Sequence, residues 1–338
     1  MTRPTPPSDS KPLDLNTLPL PDLYRRLVET GLVARLLELA RDEDRLGILG
    51  VSRHGDVTST AAPLAGRSTT ARIVARQPAN VAGLAVIPDL IRTFDAERTV
   101  SLTTHFADGQ PVAAGDALAT LSGELQTILQ IERPLLNLLA RLTGVATLTA
   151  RFLHAMNQPP TAAPDHAAAS SHTAGLYDTR KTTPGLRALE KYAVRCGGGR
   201  SHRFNLADAI LLKDNHLAGL ADHELAAFVQ NAADRARADR SLRFVQVEAD
   251  RLEQLDAVLT LPAGLVDIVL LDNMKSDRLR EACRRRDRHN PTLELEASGG
   301  VNLRNIAEIA RTGVDRISVG ALTHQATSVD LGLDIHTP

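Results

Sequence analysis

Arg180, Lys181, His202, Arg203 and Lys213 all fall within DTRKTTPGLRALEKYAVRCGGGRSHRFNLADAILLKDNH, the densest basic stretch of the chain. With 39 basic against 40 acidic side chains and a net charge of -1, there is no bulk reason to concentrate cations there. Arginine forks bind carboxylates bidentately and lysine supplies a point charge, so the cluster implies a small polyanionic substrate. Other polar groups close apolar runs. Lys213, Asp214, Asn215 and His216 end AILL, Glu248 ends FVQV, Asp272 and Asn273 end DIVLL, and Ser298, Gly299 and Gly300 end LELEA. Carboxylates such as Glu248 and Asp272 on successive strands suit an oxygen-coordinated Mg²⁺ that bridges substrate phosphates, or ribose hydroxyls, or a general acid and base. Metal and ribose binding rank first. The glycines of ASGGVNLRNIAEI, and Gly320 in ISVGALTH, free backbone N–H groups for an anion, and we expect a ribose 5-phosphate beside them, aided by a following helix N-terminus.

Several classes of function are excluded. CGGG lacks the GK[ST] ending of a nucleotide-triphosphate loop, and no GxGxxG dinucleotide motif is present. His216, His324 and the other histidines show no HxxxH or HExxH spacing, which argues against catalytic zinc. Cys196 and Cys283 lie far apart and match no metal or disulfide pattern, which fits a reducing cytoplasm. Near-neutral charge gives no pull toward nucleic acid, and no apolar run approaches membrane-spanning length or a signal peptide's core. The expected location is cytoplasmic, without nucleic acid or membrane as partner.

The elements that must position these residues follow from periodicity. Residues 1–20, rich in proline, read as a mobile tail. From Pro21, leucines at helical spacing predict a helical pair broken at Gly31. ARIVARQ, AGLAVIP and TVSLTTHF read as strands, and ADGQPVAAGDALATLSG adds turns at Asp108-Gly109 and Gly115-Asp116, giving a small sheet with helices. A long helix is predicted from Glu124 to Met156, bending near Pro134. Residues 157–175, NQPPTAAPDHAAASSHTAG, read as an exposed insertion. Beyond it, AILLKD, RFVQVEA, VDIVLLDN, LELEASG and RISVGAL alternate with helical segments, the last of them NLRNIAEIARTG. Repeated βα units predict a parallel sheet and favour closure into a barrel, with reactive groups at the strand C-terminal ends. No internal repeat indicates a solenoid.

At this point a resemblance is specific. The stretch from DTRKTTPG to LLKDNH resembles the core signature of quinolinate phosphoribosyltransferases. ERPLLNLLARLTGVATLT, VEAD, LLDN, EASGGVNLRNI and SVGALTH are similar to further blocks of that family in the same order, across roughly residues 70 to 335. The resemblance implies an α/β protein with an incomplete, TIM-like α/β barrel over residues 138–324 and an N-terminal α/β sandwich domain over residues 21–137, onto which residues 325–338 pack. It implies a homodimer with shared active sites, or a larger assembly of dimers. Arg180, His202, Arg203 and Lys213, with Arg133 from the neighbouring subunit, would hold the two carboxylates of quinolinate. Lys181 would lie near phosphoribosyl pyrophosphate, Glu248 and Asp272 near its ribose and Mg²⁺, and Ser298, Gly299, Gly300, Gly320 and His324 near its phosphate. Lys181, Glu248 and Asp272 would be the catalytic group. Three departures stand out: Asn205 where the family pattern often has glycine, residues 157–175 as a longer, more Ala- and Pro-rich stretch than expected, and DEDRLGILGVSRHGDVTS as an interrupted form of the family's GD[VI]TS segment.

The implied reaction is attack of the quinolinate ring nitrogen on the anomeric carbon as pyrophosphate leaves, through a cationic ribosyl transition state that carboxylates stabilise. Loss of carbon dioxide from the adjacent carboxylate then gives nicotinate mononucleotide. No redox or pyridoxal cofactor is needed. The nearest alternative is a relative of the same fold acting on nicotinate, which has one carboxylate and needs fewer cations. A non-catalytic phosphate-binding barrel would not need the pair Glu248 and Asp272.

Overall fold

The structure is a computed structural model that describes residues 13–45, 55–64, 66–158, 174–239 and 241–336. In chain order, the first elements are α1 (Leu20–Glu29), α2 (Leu32–Arg45), α3 (Val57–Ala61), β1 (Ser68–Ala75), β2 (Ala79–Asn80), α4 (Ile87–Phe94), β3 (Val100–Thr104), β4 (Pro111–Val112) and β5 (Ala117–Glu124). Next come α5 (Leu125–Met156), β6 (Gly175–Tyr177), α6 (Arg187–Cys196), β7 (Ile210–Leu212), α7 (Asp214–Leu217), α8 (Asp222–Asp239), β8 (Val245–Ala249) and α9 (Leu252–Leu259). The chain ends with β9 (Ile268–Asp272), α10 (Ser276–His289), β10 (Glu294–Ser298), α11 (Ile306–Ala310), β11 (Arg316–Ser318), α12 (Ala321–His324) and β12 (Leu331–His336). Two compact units result: one of residues 1–17, 151–180 and 200–321, the other of residues 18–150, 181–199 and 322–338.

The second unit holds a four-stranded antiparallel sheet in the order β12-β1-β5-β3. The C-terminal strand enters it by pairing with β1, Ile73 opposite Leu333. The helical pair forms as its leucines predict, with Leu23, Leu27, Val33 and Leu37 buried and Gly31 between the helices at φ +74, a conformation glycine takes without penalty. The segment AGLAVIP departs from expectation. It is a 3-10 turn (Leu84–Val86) leading into α4, where Ile87, Leu90, Ile91 and Phe94 are buried at helical spacing and Pro88 occupies the first turn, which lacks an intrahelical use for its missing N–H. A short apolar run is ambiguous by periodicity; here the spacing that continues past it decides for helix. α5 runs through Pro134. The ring removes one backbone hydrogen bond, but burial of Ile128, Ile131, Leu135, Leu136, Leu139 and Leu142 along one face holds the helix.

The first unit is a six-stranded parallel sheet in the order β6-β11-β10-β9-β8-β7. Its strands read as near-continuous apolar runs because both faces are covered; β8 is buried at all five positions. Edge strands β6 and β7 do not pair among the described residues, so the sheet is open and the expected closure is not seen. The helix predicted from NLRNIAEIARTG is confined to Ile306–Ala310, because the side chains of Asn302 and Asn305 bond the Gly300 carbonyl and hold the preceding turn. Leu13 to Thr17, expected to belong to a mobile tail, are instead tied in: Asn16 Oδ1 accepts the Ser201 amide at 2.7 Å, and Asp14 pairs with Arg243 at 2.9 Å. Most of the insertion predicted at 157–175, and residues 1–12, lie outside the described residues. No helix among the described residues is long and apolar enough to cross a membrane.

Candidate active site

Strand register brings the acidic groups together. β8 and β9 pair Glu248 with Leu270 and Ala249 with Leu271, so the residues that follow, Asp250 and Asp272, emerge side by side at the C-terminal ends. Carboxylate oxygens of Glu248, Asp250 and Asp272 all lie within 4.8 Å of one another. Three hard oxygen donors converging at that distance fit a divalent cation that keeps part of its water shell. Asp250 was missed in the sequence, where it followed the strand as an ordinary loop residue. On the other side, β7 pairs Leu212 with Val247, which sets Lys213 beside Glu248, and Lys213 Nζ meets Glu248 Oε2 at 3.0 Å. Burial pushes the Glu248 carboxyl above its ordinary value, and Asp272 and Asp214 add to this, against the hydrogen bond from Lys213. An acidic trio with one lysine at its edge can therefore accept a cation or polarise hydroxyl groups.

Next along the sheet, β9 pairs Asp272 with Ser298 at the end of β10. The chain then turns sharply. Gly299 has φ +85, and a Cβ there would sit 2.3 Å from Asn273 Oδ1, so only glycine fits. Asn273 itself has φ +53 and donates its amide to the Ser298 carbonyl at 2.9 Å. Because α11 begins only at Ile306, the expected helix N-terminus is not adjacent to these glycines, and any anion here meets turn amides rather than a helix dipole. Ser318 ends β11, and Gly320 follows it.

The segment carrying His202 and Arg203 is tied to the end of β6. A bridge between Tyr177 and Arg200 aligns the segment ahead of His202 with the strand, and the buried Asp178 accepts the His202 amide at 2.9 Å. Arg203 is buried and donates Nη1 to the Ala209 carbonyl at 3.2 Å. Burial, and then the like charge of Arg180, lower its guanidinium below the ordinary arginine value, while Asp208 opposes them. Two arginines held near each other in a desolvated setting are stabilised by an anion. His202 is engaged within the protein at both ring nitrogens: Nδ1 accepts the Arg203 amide at 2.7 Å, and Nε2 lies 3.3 Å from Glu296 Oε1.

Beneath lies a charged layer that the sequence reading did not single out. Glu296, fully buried on β10, receives Arg316 Nε at 2.8 Å from β11. Burial alone would raise its carboxyl, but the His202 ring and the Arg316 guanidinium outweigh this and hold it far below the ordinary range. Arg316 also lies 3.7 Å over the Tyr177 ring. The available signal was the alternation in LELEA, which places Glu294, Glu296 and Ser298 on one face. A cavity of about 780 Å³ opens at the strand N-terminal ends, lined by Arg237, Arg243 and Arg316 among others. Each of these arginines is paired with an acid, Arg237 with Asp267, Arg243 with Asp14 and Asp208, and Arg316 with Glu294 and Glu296, so this cavity carries no surplus charge for a phosphate.

Unit one thus carries Arg180, His202, Arg203, Lys213, Glu248, Asp272, Ser298, Gly299, Gly300 and Gly320, while the other unit carries Arg133, Lys181 and His324. Arg133 lies on α5 with its side chain 69% exposed, 3.8 Å from Glu132. Lys181 and His324 are exposed, on the loop before α6 and at the end of α12.

Comparison with known proteins shows the family of the chain. The family model for the N-terminal domain of quinolinate phosphoribosyl transferase matches residues 56–143, and that for the C-terminal domain matches residues 145–334. The chain is 38% identical over 302 residues to a carboxylating nicotinate-nucleotide pyrophosphorylase of Mycobacterium leprae, covering 88% of this chain and 98% of that protein. It is also 38% identical over 283 residues to a probable carboxylating nicotinate-nucleotide pyrophosphorylase of Methanothermobacter thermautotrophicus, covering 83% and 93%. Among solved structures, the nicotinate-nucleotide pyrophosphorylase of Francisella tularensis superposes with a TM-score of 0.75 at 30% identity, over 96% of this chain and 99% of that one. By both domains and over most of its length, the chain belongs to the quinolinate phosphoribosyltransferase family.

Proposed function

We propose that this protein transfers the phosphoribosyl group of phosphoribosyl pyrophosphate to quinolinate, releasing pyrophosphate and carbon dioxide and giving nicotinate mononucleotide for NAD biosynthesis. The relatives' names support this activity. The structural observation that carries it is the convergence of Glu248, Asp250 and Asp272 in the same unit as the buried Arg203, whose charge burial and Arg180 disfavour and an anion would stabilise. Cations orient the ring through its carboxylates, so the ring nitrogen is aligned without a side-chain nucleophile. The acidic trio faces the region where positive charge develops on the ribose. A Mg²⁺ held by Glu248, Asp272 and Asp250 would neutralise charge on the departing pyrophosphate. Turn amides at Ser298, Gly299, Gly300 and Gly320 take the 5-phosphate, with Lys181 and His324 completing the donor's phosphate contacts. After transfer, the bond between the adjacent carboxylate and the ring breaks, carbon dioxide leaves, and its electron pair, stabilised on the ring carbon beside the cationic nitrogen, takes up a proton from water.

We also propose that the open parallel sheet is an incomplete α/β barrel, and that the protein is a cytoplasmic homodimer in which Arg133 serves the neighbouring subunit's site. The test is product formation from quinolinate or from nicotinate, each with phosphoribosyl pyrophosphate and Mg²⁺, following nicotinate mononucleotide and carbon dioxide by mass. Product and carbon dioxide from quinolinate alone support the reading. Turnover of nicotinate instead keeps the fold and overturns the substrate.

A further inference from the structure

Two loops of the second unit, one carrying Lys181 and the other His324, are tied together through an ion pair whose carboxylate is fully buried. Glu190 on α6 is fully buried. Its Oε1 accepts Arg141 Nε at 3.0 Å, Arg141 Nη2 at 2.8 Å and the Thr183 hydroxyl at 2.8 Å. Its Oε2 accepts the Thr183 amide at 2.9 Å. From α5, the same Arg141 guanidinium donates to the carbonyls of Thr323 and Ala326, each at 2.6 Å. The circuit closes through the buried Thr323 hydroxyl, which donates to the Lys181 carbonyl at 2.7 Å. Thus the guanidinium-carboxylate pair, carried by two helices, bonds the backbone on either side of His324 and the backbone of Thr183, and Thr323 links this to the Lys181 carbonyl.

Burying an ion pair is a poor route to stability, since apolar residues of similar volume commonly do as well or better. What it supplies is geometry: a planar fork donating four hydrogen bonds fixes three acceptor oxygens, of Glu190, Thr323 and Ala326, at defined angles. We propose that Arg141 and Glu190 are positioning residues that lock the Lys181 and His324 loops to each other, so that the phosphoribosyl donor meets preset phosphate-binding groups. This rests on the reading that phosphoribosyl pyrophosphate is the donor. Arg203, proposed to hold quinolinate, lies on neither loop, and only Arg180, which directly precedes Lys181, adjoins one, so the two substrates should respond unequally.

The experiment compares Glu190→Gln, Thr323→Val, Thr183→Val and Thr183→Ser with the unaltered enzyme. Expected are rises of about tenfold or more in KM for phosphoribosyl pyrophosphate in the first three, with KM for quinolinate within about twofold, and near-normal values in Thr183→Ser, which keeps the hydroxyl. Parallel rises for both substrates, or unchanged KM values with less active enzyme, would mean a merely structural role and overturn the proposal. Hydrogen exchange provides a readout without turnover. In Glu190→Gln, amides 181–186 and 322–326 should loosen together; loosening of one loop alone, or of neither, overturns the lock. If the unaltered enzyme turns over neither substrate pair, it is the functional reading that fails, and the exchange result alone decides the lock.

Discussion

Arg203 shows how a single side chain acquires a role from its surroundings. Its charge is costly where it stands, because burial and Arg180 both act against it. A bound carboxylate removes that cost and gains two charge-assisted hydrogen bonds in fork geometry. Arg203→Lys keeps the charge and loses the fork. Hydrogen bonds to charged groups contribute roughly 1.5–3 kcal/mol, so the quinolinate KM should rise at least about tenfold, with the KM for phosphoribosyl pyrophosphate unchanged. Steady-state kinetics with each substrate varied in turn checks this, and equal effects on both would remove Arg203 from the carboxylate site. Asp250 makes the complementary case. Its place in the acidic trio predicts that Asp250→Asn raises the Mg²⁺ concentration needed for half-maximal rate, measured by titration at saturating substrates; an unchanged midpoint would leave Asp250 outside the cation's reach. Charged residue types were legible in the sequence, since Arg203 and Glu248 announce themselves. Asp250 was not, because only the register of β8 on β9 sets it beside Asp272.

At the scale of elements, the parallel strands were legible from their continuous apolar runs, and AGLAVIP was not, because a short apolar run carries no period of its own. Polar residues inside those runs were the harder signal. Gln246 on β8 is fully buried, and neither its amide nitrogen nor its oxygen has a hydrogen-bond partner among the described residues. Leaving such a group unsatisfied costs about 1–3 kcal/mol, so Gln246→Met, similar in length and apolar, should raise the denaturant midpoint by an equivalent of about that amount. A lowered midpoint would show that the amide is satisfied in solution. Glu296 is the opposite case, since its carboxylate links β10 to Arg316 on β11 and to His202. Its folded pKa is depressed, so it contributes stability that is present above the ordinary glutamate value of about 4.3 and lost as pH falls below it. Glu296→Gln should therefore destabilise the protein at pH 7 by roughly 3–5 kcal/mol, the cost of leaving a buried partner uncompensated. The gap to the unaltered protein should narrow as the pH falls below about 4. Urea unfolding at several pH values measures it, and a gap independent of pH would show that folding does not depress the Glu296 pKa.

For the whole molecule, the order of motifs carried more information than any element. Blocks from ERPLLNLL to SVGALTH followed the family's order, whereas periodicity alone favoured a closure that the open sheet β6-β11-β10-β9-β8-β7 does not show. Closure depends on edge-strand pairing between residues distant in sequence, which no local pattern encodes. Assembly is the same kind of property. Arg133 is largely exposed on α5, and its ion pair with the adjacent Glu132 contributes little within one chain. Proposed as a contributor to the partner's site, it gives a test that depends on symmetry. In a twofold dimer, each site would take Arg203 from one chain and Arg133 from the other. Mixing Arg133→Ala with Arg203→Ala chains then creates dimers in which one site has lost both arginines and the other has lost neither. If equal amounts assort at random, half the dimers are mixed and about a quarter of the unaltered activity returns. Separately purified variants should each be nearly inactive, so recovery after joint refolding, quantified against mixed-dimer content by mass spectrometry, would come from rebuilt sites. Confirmed mixed dimers without recovery would place Arg133 and Arg203 in the same chain's site or remove Arg133 from catalysis.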